Sequence, residues 1–463
     1  MTLRDRVQRM ILRLEQEDVN MHGFLLSVRG ELKAGAYYRP FREGQPHRLY
    51  SVSKTILGLA IGMLADEGRL SLDNPVASYF PDLLPEQPDG RILRQTIRDM
   101  LRMATCYAQT VYREREDADW TKPFFTGRPT HEPGTVFHYD TGASQVFAAL
   151  VRRLSGKEAM DFLEERLFTP LGLRDERYWL RDPSGCCQGG TGLCMSLRDL
   201  HRIAQCLMNG GEGIVPAWYV QQMTRKQINT FQRPFAEEQW GYGWQCWMTR
   251  AGWSMYGLGG QLCIACPEQD ILLTTVADTR LDFCGVQKIY DAFFEEVLPC
   301  AGKEDKDGKE DTAPEMFSLK VRLLEDNPSC RLPSAGPYVF SAENPLRLRK
   351  LTLAENTLVL EHRETGRETT ETTASIPFLP GDVMETHWPG APEVPALVTA
   401  GWTAPGELRL RCHAAGDAPC GFEMLLCLSE GTATVQCFRS HDPLTDLYDG
   451  VASGTICGST EEG

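Results

Sequence analysis

Apolar residues Val7, Met10, Ile11 and Leu14 fall at helical spacing within an otherwise charged run, which predicts an amphipathic helix over 4–18. The stretch "GFLLSVRGELKAGAYYRP", 23–40, then reads as two strands either side of an Arg29-Gly30-Glu31 turn. From about 51 to 230 the pattern is mostly helical, with Pro- and Gly-rich loops between the periodic segments. Beyond it, "WGYGWQCWMTR", "QLCIACP" and "DILLTTVAD" read as short strands, and "FCGVQKIYDAFFEEVLP" as a helix. Strands at both ends of a helical insertion predict one sheet assembled from distant parts of the chain.

Residues 301–313, "AGKEDKDGKEDTA", are charged and nearly free of apolar side chains, which marks a linker. After it, "LRLRKLTLAENTLVLEH", "GELRLRCHA" and "EMLLCLSEGTATVQCF" alternate apolar and polar positions between turn residues. That pattern predicts an antiparallel β domain, a barrel or a sandwich. The expected organisation is therefore an α+β module over 1–300, a linker over 301–313 and a β domain over 314–463.

The 463 residues, 42% of them hydrophobic, suffice for more than one core. A formal net charge of -15 argues against nucleic acid or an anionic membrane as a partner. A small molecule fits better. No stretch has the roughly 18 consecutive apolar residues of a membrane span, and the N-terminal run lacks the apolar centre of a signal peptide. Sixteen cysteines without an export signal read as reduced thiols, and the expected location is cytoplasmic. Cys263 and Cys266 form a CxxC, but without a second pair or a histidine spacing they imply core thiols, and no metal is expected.

Candidate chemistry begins at "RLYSVSKTILGLAIGMLADEG", 48–68. Ser51 and Lys54 are three residues apart at a helix start, so their side chains share a face with Cβ atoms about 5 to 6 Å apart. Serine needs an adjacent base to act as a nucleophile, and a desolvated lysine can supply one. The helix start also offers unpaired N–H groups for an oxyanion. Ser53 points to another face. The plainer alternative makes Ser51 or Ser53 a helix cap and Lys54 a surface charge. Against it, the helix after Lys54 is apolar almost all round, so the lysine is expected to be buried.

Two further segments add to this. Tyr139, in "PGTVFHYDTGAS", lies in a loop before an amphipathic helix and is a candidate general base if a nearby cation eases its deprotonation. An ordinary half-buried aromatic is the alternative. In "MYGLGGQLCIAC", Gly257, Gly259 and Gly260 precede a strand, where a ligand can approach the backbone and a second oxyanion donor can form. A tight turn or bulge explains the same glycines.

In this order the three segments resemble the serine β-lactamase and penicillin-binding-protein-like hydrolases, in particular the class C-type branch that includes esterases and D-amino-acid amidases. "ADEGRLSLDNPVASYFPD", "TIRDMLRMAT" and "RLFTPLGL" follow the same likeness, which covers about residues 1–300. The resemblance implies that module's fold, an antiparallel sheet flanked by helices plus a helical subdomain. It implies Ser51 as the acylated nucleophile, Lys54 as its proton partner and Tyr139 as base or proton shuttle. The N–H groups of Ser51 and of Gly260 or Gln261 would hold the oxyanion. No cofactor is implied.

Two positions depart from the family pattern. Thr141 stands where an asparagine would hydrogen-bond the substrate, and Gly257-Leu258-Gly259 stands where a Lys-Thr-Gly motif would fix a substrate carboxylate. Hydrolysis of a small ester or amide, with weak or no β-lactamase activity, is the resulting expectation. The segment 106–125, with Tyr107, Tyr112, Trp120 and Phe124, reads either as a rim in contact with substrate or as a structural loop. A rival reading retains the fold as a catalytically silent binding or sensing protein, favoured by the two departures. The pattern names no oligomeric partner.

Overall fold

Every side chain from Val52 to Leu64 in helix α2 (Val52–Asp66) is buried, which a helix apolar on all sides demands. The computed structural model describes residues 2–110, 118–300, 314–319, 321, 323–363, 371–416, 419–440 and 445–456. The expected linker 301–313 and Tyr112 lie outside them. Backbone proximity divides the chain into two compact units, one of Met1–Tyr37, Arg42–Ala277 and Cys284–Ser318, the other of Tyr38–Phe41, Asp278–Phe283 and Leu319–Gly463.

The first unit is built on β1 (Met21–Val28), β2 (Glu31–Tyr38), β3 (Pro46–Arg48), β4 (Tyr178–Trp179), β5 (Leu193–Ser196), β6 (Trp247–Thr249), β7 (Gly252–Gly257), β8 (Gln261–Cys266), β9 (Ile271–Ala277) and β10 (Glu315–Leu319). Its 7-stranded sheet runs β10-β2-β1-β9-β8-β7-β6, so β1 pairs with β9 from the far end of the helical insertion, as the strand pattern predicts. Successive side chains on β7 point to opposite faces. Trp253 and Met255 join the α2 core, while Ser254 between them accepts a hydrogen bond from the Tyr290 hydroxyl of helix Gly285–Ala292 at 2.8 Å. Helices therefore cover both faces. On the second face, α1 (Leu3–Gln16) is tied to the chain after Gly285–Ala292 by Arg9–Glu296 and Arg13–Glu295 ion pairs.

Three details differ from the sequence expectation. The 51–230 stretch contributes β4 and β5 to a small sheet ordered β3-β5-β4, because two- to four-residue strands leave too short a period to read. β7 is a strand the pattern did not predict, and it ends at Gly257, the first of the three glycines that read as a turn or bulge. Glu315–Leu319, expected in the β domain, pairs as β10 on the edge of the first sheet, beside β2. Its alternation would suit either sheet.

The second unit is one antiparallel sheet of β11 (Ser334–Phe340), β12 (Leu348–Ala354), β13 (Thr357–Arg363), β14 (Glu371–Pro377), β15 (Val383–Trp388), β16 (Ala391–Ala404), β17 (Glu407–Ala414), β18 (Gly421–Leu428), β19 (Thr432–Arg439) and β20 (Gly450–Ile456). The order β14-β13-β12-β11-β20-β19-β18-β17-β16-β15 makes it a single 10-stranded near-barrel rather than two stacked sheets. Alternate residues such as Leu408, Leu410 and Cys412 point into one shared core. A sheet that buries one whole face against itself must curl. Among the described residues, no helix is long and apolar enough to cross a membrane.

Candidate active site

Ser51 is the N-cap of α2, and the backbone holds it from both sides. Leu193 on β5 accepts from the Leu49 N–H at 2.8 Å and donates its own N–H to Ser53 Oγ at 3.0 Å. Ser53 thus anchors the helix start. Tyr50, just before Ser51, has φ 46, a left-handed conformation that is costly for an aromatic residue and is held here by the surrounding bonds.

Lys54 is 1% exposed. Its Nζ donates to Ser51 Oγ at 2.9 Å and to the Gly190 carbonyl at 2.8 Å. Burial lowers its pKa from the ordinary 10.5 to about 7, against the opposing pull of the Asp140 carboxylate. Near neutral pH a substantial fraction of Lys54 is therefore an uncharged amine in contact with a serine hydroxyl, an arrangement suited to removing that hydroxyl's proton.

Tyr139 lies across Lys54, whose Nζ is 5.0 Å from the ring centroid, and its hydroxyl hydrogen-bonds Ser51. Its pKa moves up, not down. Burial is the main cause, outweighing the Ser51 hydrogen bond, so Tyr139 is a neutral phenol rather than the eased phenolate expected from the sequence. The ring is stacked on Trp247, with centroids 5.6 Å apart and planes 25° apart, and stands edge-on to Tyr242 at 6.3 Å. Phe137 and Tyr256 extend this aromatic group, and Met103 and Ile228 pack against it.

Asp140 caps the helix Thr141–Ser155, accepting from Gly142 N at 2.8 Å, Thr110 Oγ1 at 2.7 Å and Thr105 Oγ1 at 2.9 Å. Burial raises its pKa, partly offset by those bonds. Thr141 starts the same helix, and the space a side chain at Gly190 would need is bounded by Thr141 Cγ2 at 2.5 Å and Lys54 Nζ at 3.1 Å. Thr141, Lys54 and Gly190 therefore meet.

The glycine segment also reaches this region. A Cβ on Gly257 would lie 2.2 Å from the Leu49 carbonyl, so only glycine lets β7 approach the chain two residues before Ser51. Gly259 and Gly260 have φ 86 and 97, as a tight turn into β8 requires. The Gly260 N–H donates to the Gly257 carbonyl at 3.2 Å, within its own turn. Gln261 is fully buried, with Nε2 donating to the Ala277 carbonyl at 2.6 Å, and its side chain locks the turn to β9. Ser51, the helix N-cap, makes no backbone hydrogen bond through its N–H among the described residues, which leaves that donor for an oxyanion.

Tyr107 and Trp120 occupy other surroundings. The Tyr107 hydroxyl donates to the Phe124 carbonyl, and its ring meets Phe124 edge-on at 5.2 Å inside the main core. The Trp120 N–H donates to Asp182 at 3.4 Å. No group of His, Cys, Asp and Glu among the described residues is arranged to hold a metal ion.

Two residues near the site escaped the sequence reading. Gly190 supplies the carbonyl that holds Lys54, and the only signal was the pair Gly189-Gly190 in an unremarked loop. Gln245 is 1% exposed and binds several elements together: it accepts from Ser144 Oγ at 2.9 Å, donates to the Met100 carbonyl at 3.1 Å, and its own carbonyl accepts from Thr55 Oγ1 at 2.5 Å. It thereby joins α2 to the helix that follows Tyr139.

Residues 13–282 match the family model described as Beta-lactamase. The chain is similar to a 6-aminohexanoate-dimer hydrolase from Paenarthrobacter ureafaciens, 28% identical over 216 residues, 43% of this chain and 55% of that protein. It is also similar to esterase EstB from Burkholderia gladioli, 28% identical over 176 residues, 34% of this chain and 45% of that protein. The chain thus spans about half the length of the curated relatives it matches. Among solved structures, a D-amino acid amidase from Ochrobactrum anthropi SV3 superposes with TM-score 0.51 at 17% identity, covering 64% of this chain and 97% of that one. An octameric penicillin-binding protein homologue from Pyrococcus abyssi has TM-score 0.50 at 14% identity and covers 98% of this chain and 100% of that one. These structural likenesses concern the fold.

Proposed function

The chain belongs to the beta-lactamase family, and on that premise we propose that it hydrolyses a small ester or amide through an acyl-enzyme on Ser51. The observation that carries this reading is the buried Lys54 amine, 2.9 Å from Ser51 Oγ with its pKa lowered to about 7. Neutral Lys54 takes the Ser51 proton as Oγ bonds to the substrate carbonyl carbon, and the carbonyl oxygen becomes an oxyanion facing the Ser51 N–H. Tyr139, hydrogen-bonded to Ser51, donates its phenol proton to the departing alkoxide or amine. Lys54 returns its proton to Tyr139, and the acyl-enzyme is left with both groups neutral. Water then repeats the sequence: Lys54 takes its proton, hydroxide adds to the acyl carbon, and Ser51 leaves and is reprotonated.

The 6-aminohexanoate-dimer hydrolase and the esterase among the relatives support this class of substrate. Gly257, in place of a carboxylate-fixing lysine, and Thr141, in place of an amide, favour little or no β-lactam turnover. The described cysteines are free thiols, which supports the cytoplasm as the place of action.

The test is intact mass after incubation with a fluorophosphonate, with para-nitrophenyl acetate and with a penicillin, for wild type and Ser51→Ala. One adduct per chain that disappears in the variant is expected, with the ester reacting faster than the lactam. Adduct formation unchanged in Ser51→Ala would refute the mechanism.

A further inference from the structure

Behind Tyr139 stands an arginine that the proposed acyl transfer leaves without a role. Arg233 lies over Trp247, its guanidinium carbon 5.7 Å from the ring centroid, and Trp247 is the residue stacked on Tyr139. Its Nε donates to Glu238 at 2.7 Å. Glu238 is 5% exposed and also hydrogen-bonds Tyr256, which packs 6.0 Å from Trp247. One edge of the guanidinium is thus fixed by a buried carboxylate and one face by an indole. Among the described residues its two terminal nitrogens make no hydrogen bond.

A structural arginine uses its fork, because each unpaired N–H near a buried surface forgoes a bond. Here the side chain is 33% exposed and held at one edge, with both terminal NH2 groups left in the planar geometry that matches a carboxylate. Its charge is felt at the site, though burial dominates both groups: burial raises the Tyr139 pKa and Arg233 weakly opposes it, while burial lowers that of His138, the residue before, and Arg233 adds a little to it. Meanwhile position 257 is a glycine, so β7 supplies no cation at the place where the family resemblance would put one.

Resting on the acyl-transfer reading of Ser51, the geometry points to Arg233 as the specificity-determining residue, its free fork receiving a carboxylate of the substrate on the Trp247 side of Tyr139. The substrate class is then an ester or amide that also bears a carboxylate, held as an anion while its neutral carbonyl meets Ser51. Glu238 is the positioning residue that holds one edge of the guanidinium and aims the fork. An apolar wall beside a single oriented cation selects such a molecule over a neutral one by adding a charge-assisted, two-point hydrogen bond.

The experiment compares matched substrates that differ only in that charge: para-acetoxyphenylacetate against its methyl ester, with the carboxylate on the leaving group, and the mono-para-nitrophenyl ester of suberate against para-nitrophenyl octanoate, with it on the acyl group. The readout is the ratio of kcat/KM within a pair. Wild type is expected to favour the acid of at least one pair by about tenfold or more, the scale of a charge-assisted hydrogen bond. In Arg233→Met that ratio falls to near one. Arg233→Lys, which keeps the charge and loses the fork, falls between. Because Arg233→Met alone would leave Glu238 buried without its partner, the double variant Arg233→Met, Glu238→Gln is measured as well and is expected to show the same lost preference. Turnover through Ser51 with no preference for either acid, or a preference that survives in the double variant, overturns the inference and leaves the acyl-transfer reading standing. Failure of every ester to acylate Ser51 overturns both.

Discussion

Lys54 Nζ and Ser51 Oγ are 2.9 Å apart at the first turn of a helix whose next residues, through Leu64, are all buried. The contact is local, but the low-dielectric surroundings that lower the lysine pKa come from the helices packed around it. The same burial that lowers the lysine pKa leaves the Tyr139 phenol protonated, so one environment separates the base from the acid of the proposed acyl transfer.

In the proposed mechanism, activity depends on the fraction of Lys54 that is neutral. With a folded pKa of about 7, kcat/KM rises with pH through neutrality and then levels. Lys54→Met is expected to lose about a thousandfold or more in acylation rate, as removal of a serine's activating base does. The same shift acts on stability. The unfolded chain holds the lysine proton up to the ordinary 10.5 and the folded chain only to about 7, so between these values the unfolded state binds more protons. Wild-type stability relative to Lys54→Met should therefore rise with pH across that window and be flat below it. Denaturant melts at several pH values measure this, and a difference that does not change with pH would refute the buried-amine assignment.

Asp140 is the negative charge that holds the Lys54 pKa up. Asp140→Asn keeps a side chain able to cap the helix Thr141–Ser155 and removes the charge. The ammonium is then less favoured, and the acid limb of the pH–rate profile moves to lower pH. A limb that moves upward or stays in place would assign Asp140 to helix capping alone.

Gly190→Ala inserts a methyl group 2.5 Å from Thr141 Cγ2 and 3.1 Å from Lys54 Nζ. The side chains must give way at the reacting lysine. Overpacking of this kind costs about 1 to 3 kcal/mol of stability. The larger effect is expected on acylation, with fluorophosphonate labelling slowed about tenfold or more as the lysine is displaced. Labelling at the wild-type rate would mean that the loop carbonyl does not position Lys54.

Some of this was written in the chain order. Ser51 and Lys54 touch because residues three apart share a helix face, and Lys54 is buried because the helix after it has no polar side to turn outward. The joining of β1 to β9 followed from strand patterns at both ends of a helical run, and the alternation after position 315 carried the β character of the second unit. What only the tertiary structure decided lies at longer range. Tyr139 meets Trp247, which Arg233 in turn covers, from segments about a hundred residues away, and periodicity specifies which face is buried but not what it is buried against. The same limit applies to Tyr107, whose aromatic ring suits a core as well as a rim and which folds into the core, to Gly260, whose N–H is spent within its own turn, and to β10, whose alternating residues could edge either sheet. A helix carries its geometry in its own backbone, so local spacing could be read directly. The electrostatics of the site depend on which distant groups exclude water from it, and only the assembled fold determines that.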